Sequence, residues 1–239
     1  MNLNSRIAIA AAGAATLCLA AQATPRAAEA SGADYLVSAE DLDGFHIGGY
    51  YRYTSREVNH AHDLSQDNIA FMLGYDILDW LSIYGVVGTS DAEIKDYDTD
   101  RDYDFLYGAG AWINILDHDL LSNLSCETKL RLSASSQITF SSPKVADQDC
   151  DYSDFYGALT LGIVNELIGN KNYWPDAIGV FFGPCWSRFD CDEFDQTGDK
   201  VGFAAGLDVY VTRRVGLSAS YETYGSGDCA VNFSLNTRF

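Results

Sequence analysis

Positive charge is scarce in this chain, and long apolar runs are confined to its start. Lysine and arginine number 15 against 34 aspartates and glutamates, a formal charge of −19. That deficit excludes the basic face on which nucleic-acid binding depends. Beyond the N-terminal segment, no stretch reaches the ~18 consecutive apolar residues of a spanning helix. A place in a membrane would therefore require a closed β-barrel, because only helices and barrels satisfy their own backbone in lipid. Catalytic signatures are missing too. The chain has no Gly-x-Ser-x-Gly elbow, no assignable Ser–His pairing and no recognisable paired-Asp motif of a membrane protease. His60-Ala61-His62-Asp63 is the one dense histidine site. Its two imidazoles share a face of an extended segment, but no third ligand is fixed by spacing, so loop histidines are favoured over a zinc or copper site. No enzyme is expected.

What is present begins with the N-terminus. A short polar start ending at Arg6 is followed by an apolar run from Ile7 to Ala21 and the small-x-small site Ala21-Gln22-Ala23. Residues 1–23 read as a secretory signal peptide. Cys18 lies in the apolar run, but Ala15-Thr16-Leu17 does not make a lipoprotein acceptor box. Residues 24–43, rich in Ala, Ser, Glu and Asp, read as a flexible periplasmic lead-in to a single domain over 44–239.

That domain is built of alternating segments. In the tail AVNFSLNTRF, Val231, Phe233, Leu235 and Phe239 share one parity, while Asn232, Ser234, Asn236 and Arg238 share the other. Successive side chains of a strand point to opposite faces, so this strand has one apolar and one polar side. Ten such segments can be marked, over 45–58, 68–76, 81–94, 103–115, 128–141, 154–166, 177–190, 200–211, 215–224 and 229–239. Their connections alternate in character. Those at 59–65, 95–102, 142–153, 191–199 and 225–228 are Asp-, Gly- and Ser-rich, and the intervening set at 77–80, 116–127, 167–176 and 212–214 includes two tight turns. An all-β, single antiparallel transmembrane barrel of ten strands is expected, or eight if two weak segments merge. Tyrosine, at 15 residues the most abundant aromatic, suits the aromatic girdles of such a barrel. Glycines recurring inside the strands suit its tight bending.

The strand–turn–strand segment GYDILDWLSIYGVVG, Gly74 to Gly88, together with the tail, resembles the small OmpA/OmpX-like barrel domains of bacterial outer-membrane proteins. The resemblance implies an outer-membrane location, contact with lipid and lipopolysaccharide, and an assembly signal in Phe233, Leu235 and Phe239 read by the outer-membrane assembly machinery. Thr237 departs from it, since the family places a large apolar residue two before the end. The sequence stops with the barrel, so the cell-wall anchoring of longer relatives is not expected.

Inward parity carries charges of both signs, Arg52 and Arg56 on the first strand, Lys129 and Arg131 on the fifth. If the barrel closes first-to-last, Arg52, Asp208, Glu222 and Arg238 fall on four neighbouring strands. They are expected to form an ion-pair network that fills the lumen, with Glu222 and Arg238 paired. A pore lined by the same residues is the competing reading, but open aqueous channels need wider barrels, about 16 to 18 strands. Asp96, Asp98, Asp100 and Asp102 point the same way if their loop is extended. They could take calcium, although Arg101 stands where the calcium-loop glycine belongs, and a solvated acidic loop is the favoured reading. No other cofactor is expected. Five cysteines follow the signal, an odd number. Cys150 and Cys191, on loop-side ends of adjacent strands, are the expected bridge, with Cys229 the rival partner. The function read from these features is structural or surface-interacting. A narrow channel for small solutes or ions is the first alternative and a barrel enzyme the second. Oligomeric state is not legible.

Overall fold

The computed structural model describes residues 44–58, 62–78, 80–94, 103–123, 126–145, 148–149, 151–166, 175–191, 196–212, 214–225 and 227–239. The signal peptide and lead-in assigned above lie outside the described residues. The strands are β1 (Phe45–Val58), β2 (His62–Leu78), β3 (Leu81–Ile94), β4 (Asp104–Asn123), β5 (Cys126–Ser141), β6 (Lys144–Val145), β7 (Gln148–Asp149), β8 (Tyr152–Glu166), β9 (Ala177–Cys191), β10 (Gln196–Thr212), β11 (Val215–Thr223) and β12 (Cys229–Arg238). Ten of them form one closed antiparallel barrel in chain order, with β12 returning to β1. The two-residue strands β6 and β7 pair separately as a small ribbon between β5 and β8. Among the described residues there is no helix.

Alternation divides each strand between two environments, and the usual polarity is inverted. Ile69, Phe71 and Leu73 of β2, Phe203 and Leu207 of β10, and Phe233 and Leu235 of β12 are half-exposed on the outer wall. Arg52, Arg56, Gln66, Asn68, Asp154 and Glu222 are buried inside. In water so continuous an apolar surface would be untenable. The barrel therefore spans a membrane, with lipid as the solvent of its outer wall. Aromatic rings gather toward both ends of that wall. Tyr107 stacks on Phe140 at 5.5 Å, and Phe155 meets Trp186 at 4.9 Å, near the loop ends of their strands. Phe45 meets Tyr75 edge-on at 4.9 Å at the opposite end, where the chain enters and leaves the barrel.

The strands are steeply tilted. A single rung runs from Ile47 through Leu73, Gly85, Ala109, Ile138 and Phe155 to Arg188. It starts near the terminus end of β1 and arrives near the loop end of β9, which is the stagger that closes a narrow barrel. Several strand glycines serve close approach as well as bending. A Cβ at Gly110 would collide with the ring of Tyr84, and one at Gly206 with the ring of Phe181, so both rings lie flat against the inner wall.

Strands β1 and β3 have the expected bounds, but others run longer. β2 begins at His62, and β4 continues to Asn123 through the connection expected at 116–127. The reason is local. The β4–β5 register shifts between Asn114 and Leu116 and again between Asp119 and Leu121. Two such irregularities each reset side-chain parity, so a continuous strand loses its alternation in the sequence. The resulting β4–β5 hairpin projects past Leu81, where β3 makes its last pair with β4.

Candidate functional site

The lumen divides into two regions. Its loop-side half is packed with charge. Arg52 on β1 reaches Glu222 on β11 through a forked contact, with nitrogen–oxygen distances of 2.8 and 3.3 Å. The Tyr224 hydroxyl donates to the same carboxylate at 2.6 Å. The Arg52 guanidinium also lies 4.6 Å from the centre of the Tyr156 ring. One layer further toward the loops, Arg56 donates to Asp154 at 3.0 Å and to Ser187 at 2.6 Å. Ser187 in turn donates to Asp154 at 3.2 Å, and the Phe189 ring sits 5.4 Å from the Arg56 guanidinium. Each buried charge thus has a counter-charge and a further polar or aromatic partner, the condition for burying it at all. Near the rim, Lys200 pairs with Asp228, which also accepts from the Glu57 amide at 2.8 Å.

The terminus-side half is different. An aromatic wall is formed by Tyr50, Tyr84 and Trp112, the last two at 4.9 Å. Gln137 ties the tyrosines together, donating to Tyr50 at 3.0 Å and accepting from Tyr84 at 3.2 Å. Across the lumen from Tyr84 and Trp112, β11 and β12 present three rungs of small residues, Gly216 opposite Asn236, Ser218 opposite Ser234, and Ser220 opposite Asn232, with Ser234 next to Tyr50 on β1. These side chains are too short to meet Tyr84 and Trp112, and a cavity of about 260 Å³ remains between them. Arg52 and Glu222 line its loop-side limit; Arg131 and Asp208 line it near the other end. The amide oxygens of Asn114, Asn232 and Asn236 are buried without a hydrogen-bond partner.

Ion pairs return at the terminus end. Arg131 pairs with Asp117 at 2.8 Å, Lys129 with Glu166 at 3.2 Å, and Arg238 with Asp76, which also accepts from Ser82. His46 stacks on Trp112 at 5.8 Å beside them.

Of the four charges expected to form one network, Arg52 and Glu222 meet and the other two lie elsewhere. Arg238 is not the partner of Glu222. Glu222 stands opposite Ala230, well up β12, whereas Arg238 is at its end and turns to Asp76 on β2. Asp208 lies nearer the terminus end, opposite Ser218. Parity assigned the inward face, but the partner depends on strand tilt, which parity does not encode. The partners Asp154, Asp76 and Asp117 were missed. Asp154 had an inward signal in the alternation of β8, while the parity of Asp117 was hidden by the shift after Asn114.

Asp96, Asp98, Asp100 and Asp102 lie outside the described residues, as do His60 and Cys150. Among the described residues no cluster of three or more His, Cys, Asp or Glu side chains is placed to hold a metal ion. Cys191 ends β9 beside Tyr152, two residues along the chain from position 150. Cys229 stands opposite Ser55 and Thr223, three strands further round the rim. Phe233, Leu235 and Phe239 face outward and are about half-exposed. Thr237 lies between Ile47 and Val215.

No protein-family model matches the sequence, and no curated protein matches it. Solved structures that resemble it are barrels of the outer membrane. The transport unit of the autotransporter AIDA-I from Escherichia coli has 10% identity and a TM-score of 0.47, over 87% of this chain and 94% of that one. The β domain of the Bordetella autotransporter BrkA has 11% identity and a TM-score of 0.43, over 82% and 100%. The outer-membrane protease OmpT from Escherichia coli has 9% identity and a TM-score of 0.33, over 83% and 98%. Their roles differ from one another, and none of these likenesses assigns a role to this chain.

Proposed function

We propose that the protein is an integral outer-membrane barrel with a closed lumen, serving a structural or surface-interacting role through its acidic loops. The observation that carries this reading is the pair of buried ion-pair layers, Arg52–Glu222 and Arg56–Asp154, stacked across the loop-side half. A solute crossing that half would have to break both guanidinium–carboxylate contacts and leave their charges unpaired. On this reading the termini face the periplasm and the acidic loops face outward, where they meet lipopolysaccharide and its bound divalent cations, calcium at Asp96, Asp98, Asp100 and Asp102 among them. Phe233, Leu235 and Phe239 are the segment that the assembly machinery reads.

Planar-bilayer recording of the purified protein tests the closed lumen. The unmodified barrel is expected to give no steady conductance steps. Discrete, reproducible steps would overturn the reading in favour of a narrow channel, whose one favourable observation is the cavity of about 260 Å³ on the terminus side.

A further inference from the structure

β4, at 20 residues the longest strand, outruns its neighbour. It continues to Asn123, while β3 makes its last pair with it at Ile113 and the Asn114 amide donates to the Trp80 carbonyl at 2.9 Å. Past that point β4 pairs with β5 on one side, and among the described residues no backbone group meets it on the other. Residues 115–123 therefore present an open strand edge at the terminus end, a template for one more strand. The edge is weakly guarded. No proline interrupts it, and Asp117 and Asp119 are turned to Arg131 and Lys129 on β5. Between the irregularities at 115 and 120, Leu116 to Asp119 stay in regular register.

Symmetry argues against a second copy as the occupant. Antiparallel pairing of two identical strands requires a two-fold axis perpendicular to the sheet. The barrel wall stands upright in the membrane, so that axis lies in the membrane plane and inverts one copy against the other. Parallel pairing places the axis along the tilted strand and sets the two barrels askew. A different segment is needed, and the chain has one nearby. Gly44 is held at the foot of β1, where its carbonyl accepts from the Asp76 amide at 2.8 Å. The lead-in ahead of it arrives two strands from the lane that β3 leaves empty. β1 and β3 run alike and β4 runs against them, so a segment entering β1 through that lane lies antiparallel to β4.

The lead-in sequence suits the edge. Residues 33–43 contain no glycine or proline. Tyr35, Val37 and Ala39 share one parity, and Asp34, Ser38 and Glu40 the other, with Leu36 out of type. Tyrosine and valine favour strands. With Val37 level with His118, Ala39 falls beside Leu116, on the outward side that Leu130 and Leu132 continue across β5. Ser38 and Leu36 then stand opposite Asp117 and Asp119, so no two carboxylates face each other. The link to the barrel also closes. Gly44 is level with Trp112 through Asp76 and Ser82, so Ala39 to Gly44 must cover two strand spacings and the rise from Leu116 to Trp112, roughly 16 Å. Five extended chain steps reach about 17 Å.

We propose that residues 34–40 add to the open edge of β4 as an antiparallel strand, in the lane below β3. The lead-in closes the edge against other chains and ties the N-terminal segment across the foot of the barrel.

Hydrogen exchange read by mass spectrometry, on the whole protein in phospholipid vesicles, tests this. Amides of Ile115 to Leu120 that face away from β5 are expected to exchange slowly in the intact chain. Deleting residues 24–40 is expected to speed them at least about tenfold. Val37→Pro with Ser38→Pro keeps the length but removes two successive donors, one of which must point at β4, and is expected to give most of the same loss. Ala28→Pro, outside the pairing segment, is expected to change nothing. The gel shift of unheated samples shows that each variant is folded. Fast exchange in the intact chain would mean an open edge and overturn the proposal. Slow exchange that persists after the deletion would put another occupant there and overturn it equally. So would a loss on deletion that the double proline variant does not reproduce, since the lead-in would then act without pairing.

Discussion

The two halves of the lumen are enclosed by the same ten strands and filled in opposite ways. On the loop side, long charged side chains cross the interior and meet, Arg52 with Glu222 and Arg56 with Asp154. On the terminus side, β11 and β12 supply glycine, serine and asparagine, and the interior stays open. Barrel diameter does not account for the difference, because strand number is constant along the axis. Side-chain length does. A ten-stranded barrel is narrow enough for two long side chains to bridge it and too wide for serine to do so. Whether a lumen is plug or cup is therefore decided strand by strand, at inward positions alone.

The comparison can be broken most severely in the plug. Glu222→Ala leaves Arg52 buried without its counter-charge and is expected to cost about 3–5 kcal/mol, measured by urea unfolding in phospholipid vesicles. Thr223→Ala, one residue on and facing lipid, is expected to cost under about 1 kcal/mol. Equal losses would mean that Arg52 is solvated in place and that the plug is not dry. Asp154→Ala is expected to be milder, about 2 kcal/mol, because Ser187 still accepts from Arg56 at 2.6 Å. The double change Arg52→Met with Glu222→Leu sharpens the point: removing both charges is expected to recover most of what Glu222→Ala loses. In the cup, Asn236→Ala deletes an amide whose oxygen has no partner, and stability is expected to move by less than about 0.5 kcal/mol in the same unfolding assay. A loss of several kcal/mol there would show that the cup is held as tightly as the plug.

Much of this could be read from the chain. Strand number, closure and inward face follow from alternation, and β1 and β3 keep the bounds that alternation gives them. Alternation failed where its physical basis failed, at the two register shifts of β4. It also faded at the start of β2, where the wall carries Ser65 and Asp67 in place of apolar groups. Ion-pair partners were only partly legible. Arg52 and Glu222 were assigned to one face, yet Arg238 was given to the wrong carboxylate, because height in a tilted barrel depends on the accumulated stagger of every strand between. The small inward residues of β11 and β12 were visible as a pattern. That they face Tyr84 and Trp112 across a gap was not, since no local rule relates the third and fourth strands to the last two.

The partners Arg52 and Glu222 are 170 residues apart, and they meet only because β12 joins β1. Before that joining, β1 and β11 lie at or next to opposite edges of the sheet, so no hairpin or open sheet brings the two side chains together. Their attraction therefore contributes nothing while the strands are being laid down one after another, and appears when the seam zips shut. It acts as a latch on the finished ring. In kinetic terms its φ-value is near zero where closure follows the rate-limiting step, so loosening the pair hastens opening and leaves the speed of assembly almost untouched. The pair thus favours no ring before all the strands are present, and holds the ring firmly once it is made.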